Sequence, residues 1–150
     1  MSKAVLISIQ PKWCERILNG EKTVEIRKTK PKIETPFKVY IYCTKDGYLL
    51  TTDIPAKKVN GKVIGEFICD RIIEFPYNAN GYGLKAGKTV CTLSGVPVKE
   101  LYYYLQGKKP YGWHISNLKI YDKPRAISEF GLTRAPQSWC YVEEEGHHDS

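Results

Sequence analysis

Phe37 to Cys43 alternates strictly, with Phe37, Val39, Ile41 and Cys43 on one face and Lys38, Tyr40 and Tyr42 on the other. Side chains of an extended chain point to opposite faces in turn, so this pattern predicts a strand. The same kind of signal recurs along the chain. Ala4 to Ile9 is a short continuous apolar run, which predicts a strand covered on both faces. Lys22 to Lys28 sets Val24 and Ile26 against Thr23, Glu25 and Arg27. Asn60-Gly61 is a turn signal leading into Lys62 to Phe75, a long β-rich stretch with a bend expected at Gly65 or near Asp70-Arg71. Tyr111 to Tyr121 shifts its apolar parity near Ser116-Asn117, which predicts a bulge. Ser138 to Glu143 is a last short strand.

Helical spacing interrupts this pattern. Pro11 suits a first helical turn, where its missing N–H costs nothing. Trp13, Cys14, Ile17 and Leu18 form one stripe on a helix from Lys12 to Asn19, and Asn19-Gly20 ends it. Val98, Leu101, Tyr102 and Leu105 form a second stripe between Pro97 and Gly107. Tyr102 is expected in the core, whereas Tyr103 and Tyr104 fall off the stripe and are candidates for a contact surface. Pro76 to Gly95 reads as loop with a short helix near Val90. Strands without regular βαβ alternation predict an α+β chain, a small mixed barrel of five to six strands with two or three flanking helices.

The 150 residues suffice for one domain that folds without a metal or disulfide. No apolar run approaches the ~20 residues that span a bilayer, so no membrane partner is expected. The five cysteines are widely spread and contain no CxxC pair, which argues against zinc and for a reducing, cytoplasmic setting; Cys43 and Cys69 sit in apolar runs and are expected buried. No cofactor or metal is expected. The first 139 residues carry 23 basic and 12 acidic side chains, a net +11, while the last eleven hold four acids and no Lys or Arg. The domain is expected over residues 1–142, with an acidic, disordered tail over 143–150 that includes His147 and His148. A basic body points to a polyanionic partner.

The densest signal joins the first helix to the next strand: Ser8-Ile9-Gln10-Pro11, the helix, then Gly20-Glu21-Lys22-Thr23-Val24-Glu25-Ile26-Arg27-Lys28. Glu25 and Arg27 share one strand face, and Lys22 stands at the strand entrance. One reading is a salt bridge on a solvated face. The other is a cleft in which Lys and Arg bind phosphate and Glu accepts from a base amino group. Lys28, Lys30 and Lys32 continue the charge as a solvated loop or a phosphate track. Trp113 alternates with Ile115 and reads as core. His114 reads as a hydrogen-bonded structural residue with no legible acidic partner.

The pattern G-x-K-x-V-E-x-R after a short helix, preceded by a strand ending in S-x-Q-P, resembles the ASCH domain, which is similar to the PUA-like superfamily of small RNA-binding barrels. The Tyr111 to Ile115 strand and the Gln137 to Val142 ending are similar to phage and bacterial members. The resemblance implies a PUA-like barrel with a ligand cleft between the first helix and the barrel. It places Lys22, Glu25 and Arg27 at that cleft, with the Trp113 strand nearby, and Lys28 and Lys30 of the charged run and Trp113 complete the expected nucleic-acid-binding set. RNA or a nucleotide derivative is the implied partner, with DNA as the other polyanion. Some small ASCH proteins are acetylcytidine amidohydrolases and others are described as ribonucleases. The amidohydrolase site resembles a Lys followed three residues later by a Thr. Here those positions are Lys22 and Glu25, so a hydrolase would use Lys22 as acid or electrostatic stabiliser and Glu25 as base. A protein-interaction module is the remaining class.

Overall fold

The computed structural model describes residues 2–45, 59–75, 77–78, 83–84 and 87–145. Its elements in chain order are β1 (Lys3–Ile9), α1 (Pro11–Leu18), β2 (Val24–Arg27), β3 (Phe37–Cys43), β4 (Lys62–Glu74), β5 (Tyr77–Asn78), β6 (Gly83–Leu84), α2 (Gly87–Ser94), α3 (Val98–Leu105), β7 (Tyr111–Arg125) and β8 (Trp139–Glu143). A short 3-10 helix covers Ile127–Phe130. Six strands form one curled sheet in the order β2-β7-β4-β3-β1-β8, and β5 pairs with β6 apart from it. Only β1 and β3 run parallel in that sheet; its other pairings are antiparallel. The fold is the expected α+β half-barrel with three α-helices.

Strand alternation sorts the core into layers. Val5, Ile7 and Ile9 of β1 meet Val39, Ile41 and Cys43 of β3 and Trp113 of β7 inside the curl. Helix α1 adds Cys14 and Ile17 to this inner cluster. On the outer face, Ala4 and Leu6 pack with Tyr40, Tyr42 and Val142, covered by Ile127, Phe130 and Leu132. The sequence reading did not foresee this cover, which leaves Tyr40 and Tyr42 buried. A third cluster sets Val24 and Ile26 of β2 against Phe75 and against Leu101 and Leu105 of α3. Each of those leucines is about 1% exposed, a burial that stabilises by about 1.5–3 kcal/mol per side chain.

The expected irregularities are present. Asn117 has φ 49° and the β4–β7 register slips between Glu66 and Ile68, which is the bulge. At Gly65 a Cβ would lie 2.5 Å from the Lys119 carbonyl oxygen, so only glycine lets β7 approach this closely.

One expectation needs correction. Tyr102 is 48% exposed and Val98 also faces outward. The buried stripe of α3 is narrower than its spacing implied, because the helix meets one small cluster rather than the barrel interior. The last strand ends at Glu143 as expected, where Glu143 pairs with Lys3. Beyond it, Glu144 donates its N–H to the Ser2 carbonyl and Glu145 donates its own to the Tyr40 hydroxyl. The Glu145 carboxylate also pairs with Arg125. His147 and His148 lie outside the described residues.

Candidate functional site

Gly20 takes φ 76° after the Asn19 cap, and the chain turns back under α1. The N–H groups of Glu21 and Lys22 both donate to the Arg16 carbonyl, at 2.9 and 3.1 Å, which fixes the turn. Lys22 therefore points beneath the helix. Its Nζ lies 2.7 Å from the Ser94 carbonyl, 3.1 Å from Glu25 Oε1 and 5.5 Å from the centre of the Trp13 ring. Arg27 reaches Glu25 from the other side, Nε to Oε2 at 2.8 Å. Its Nη1 donates to Ser138 Oγ at 3.0 Å and its Nη2 to the Ser8 carbonyl at 2.6 Å.

Lys22, Glu25 and Arg27 thus converge, and they are 2%, 6% and 9% exposed. The solvated-face reading does not hold: the polar face of β2 turns inward and its apolar face turns out toward α3. Buried charges persist only when paired and hydrogen-bonded, and here each oxygen of Glu25 takes one cation. Burial pushes the Glu25 carboxyl up, but the attraction and hydrogen bonds of Lys22 and Arg27 outweigh it and hold its pKa below the ordinary value.

Above this floor is a cavity of about 340 Å³. Trp13 and Lys12 of α1 form one wall, and Glu100, Leu101 and Tyr104 of α3 form another. Lys12 and Glu100 bridge the two walls at 3.5 Å. Gln10, Thr44 and Gln137 complete the lining near the end of β1. Such a volume sits at the small end of ligand sites, roughly 300–1,000 Å³, and suits one nucleoside-sized group.

The other expected residues are placed differently. Lys28 is half-buried beside the cavity, its Nζ 4.7 Å from the centre of the Tyr104 ring. Lys30 lies 3.6 Å from Glu74 and over Tyr111 instead. Trp113 stands opposite Glu25 in the β2–β7 register, hence on the same inner face, but it is fully buried. It packs edge-on to Phe37 and Trp139, and its Nε1 donates to the Thr29 carbonyl at 3.3 Å. Trp113 therefore backs the site from within the core rather than lining the cavity. His114 does have an acidic partner, which the sequence did not disclose: its Nδ1 is 2.6 Å from Asp70 Oδ1. Among the described residues, no group of three His, Cys, Asp or Glu side chains could hold a metal ion.

Sequence reasoning missed Thr44, Glu100 and Leu101 as lining residues, whereas of the α3 wall it had named Tyr104 as a candidate contact residue. Gln10 and Gln137 lay inside the motifs quoted above, so their adjacency to the family pattern was a usable signal. Nothing local marks Thr44 or Glu100.

Residues 7–70 match the family model of the ASCH domain. No curated protein matches the chain in sequence. Among solved structures, ASCH from Zymomonas mobilis is similar with a TM-score of 0.70 at 19% identity, over 95% of this chain and 89% of that one. Two single-substitution mutants of that protein give the same TM-score, at 18% and 17% identity. They cover 95% and 94% of this chain and 92% and 89% of their own. At such identities the likeness concerns the fold. The inward-facing trio on β2 lies within the matched segment, and the curled sheet around it has the fold of those structures: residues 7–70 of the chain match the ASCH domain, on a fold similar to that of a solved ASCH protein.

Proposed function

We propose that the protein binds RNA or a nucleotide derivative and takes one nucleobase into the cavity between α1 and α3. The ASCH domain is a kind generally thought to bind RNA, and DNA offers the same chemistry less directly. The observation that carries the reading is a floor whose hydrogen-bond donors are already engaged within the fold, beneath aromatic walls. Lys22 and Arg27 spend their donors on Glu25, Ser94, Ser8 and Ser138. A phosphate in the cavity would compete with the fold for them. A neutral base does not, and Trp13 and Tyr104 offer it apolar faces. Phosphates then stay outside, near Lys28 and Lys12. Readers of RNA sequence take unstacked bases in this way. Five free cysteines suit a reducing, cytoplasmic setting.

Binding is favoured over hydrolysis because Glu25 would have to act as a free base. Both its oxygens are held by cations, and its lowered pKa makes it a weak proton acceptor. Calorimetric titration with ribonucleosides, mononucleotides and short single-stranded RNA tests the proposal. Saturable binding that Tyr104→Ala weakens supports it. No binding by any of these ligands overturns it in favour of a protein partner.

A further inference from the structure

Two carboxylates line the cavity, those of Glu25 and Glu100. Glu25 is sealed into the floor with a cation on each oxygen. Glu100 is open: its side chain is 51% exposed, so a ligand entering between the helices meets it. Its Oε2 lies 3.5 Å from Lys12 Nζ on the facing wall, so the carboxylate reaches from α3 across the cavity toward α1. Lys12 is its one ion-pair partner among the described residues, and that side chain is 45% exposed as well. An ion pair so open to water contributes little to folding and exchanges partners readily. Lys12 also stands 4.6 Å from the centre of the Trp13 ring, a contact that does not need Glu100.

Glu100 and Tyr104 are four residues apart on α3, and both line the cavity. Residues at i and i+4 share one helix face, with Cβ atoms about 5–6 Å apart. A base stacked on the Tyr104 ring therefore has its edge within reach of Glu100. An ionised carboxylate only accepts hydrogen bonds, through two oxygens side by side. It favours an edge that presents N–H donors from two neighbouring nitrogens. Among the four RNA bases only guanine has that edge, at N1 and at the 2-amino group. Uracil flanks its single N–H with two carbonyls, which a carboxylate repels. We infer that Glu100 is a specificity-determining residue: it accepts from the N1–H and the 2-amino group of a guanine stacked on Tyr104, and it releases Lys12 to the phosphate outside. This rests on the nucleobase reading above and adds the identity of the base to it.

The test titrates wild type, Glu100→Gln and Glu100→Ala, each as the full chain, with guanosine, inosine, adenosine, cytidine, uridine and a short single-stranded RNA. Inosine is guanosine without the 2-amino group, so this pair of ligands tests the inference on wild type alone. Wild type is expected to bind guanosine about tenfold or more tighter than inosine or uridine, the worth of a charge-assisted hydrogen bond. Glu100→Gln keeps the shape but replaces one acceptor with a donor. It is expected to bring guanosine to within about threefold of inosine and to change uridine binding by less than about threefold, and Glu100→Ala should act in the same direction. If wild type binds nucleosides without preferring guanosine, or if Glu100→Gln keeps the preference, the inference fails and the nucleobase reading stands. If wild type binds the RNA but none of the nucleosides, the inference also fails. If it binds none of these ligands, both fall together.

Discussion

The guanidinium of Arg27 on β2 donates to the main-chain carbonyl of Ser8 on β1 at 2.6 Å. These strands are not neighbours. In the sheet order, β2 is one edge, and β1 lies next to β8, the other edge. Arg27 also reaches Ser138, just before β8. One side chain thus draws together the two ends of the curled sheet. Because the same guanidinium holds Glu25, the closure of the barrel and the floor of the cavity are a single network.

Arg27→Ala is expected to destabilise the protein by about 3–5 kcal/mol, since it leaves Glu25 half-paired in the interior. Arg27→Lys is expected to recover little, because an ammonium cannot serve Glu25, Ser8 and Ser138 at once. Denaturant unfolding measures both. A loss below 1 kcal/mol for Arg27→Ala would mean that closure rests on other contacts.

Glu25 couples stability to pH. Its folded pKa lies below the unfolded value. The stabilisation is therefore present above the unfolded carboxyl range and is lost as pH falls through the folded pKa. Glu25→Gln is expected to cost about 3–5 kcal/mol at neutral pH by leaving two buried cations without their counter-charge. It should also flatten the acid limb of the stability curve. An acid limb equal in slope to that of wild type would show that other carboxylates carry it.

Gly65→Ala should be costly. The added methyl would stand 2.5 Å from a backbone oxygen of β7, which cannot swing aside. Overpacking of this kind costs typically about 1–3 kcal/mol, read as a lowered melting temperature. Unchanged melting would be incompatible with the β4–β7 register described here.

Tyr104→Ala and Tyr103→Ala should separate cleanly in binding. Tyr104 lines the cavity at 37% exposure, whereas Tyr103 is not among the lining residues and meets Tyr102 edge to face. Loss of one stacking ring is worth about 1–3 kcal/mol per base, so only Tyr104→Ala should weaken nucleoside binding.

Salt dependence should be shallow. A single strand loses about 0.7 in log–log slope for each phosphate contacted, and Lys22 and Arg27 are engaged elsewhere. One or two contacts by Lys28 and Lys12 give a slope no steeper than about −1.5. A slope of about −3 for short RNA would make phosphate, not the base, the main contact.

Local spacing in the sequence sets which way side chains turn. Alternation put Glu25 and Arg27 on one face, Pro11 and Gly20 bounded α1, and the parity slip at Asn117 marked the bulge. What covers each face is set by the packing of segments far apart in the chain. Lys22 is buried by Ser94, 72 residues away, and Arg27 by Ser138, 111 residues away. The packing of α3 over the cavity and the exposure of Tyr102 depend on such distant partners. A local pattern reflects the geometry of consecutive residues, whereas burial depends on where remote segments of the chain come to lie.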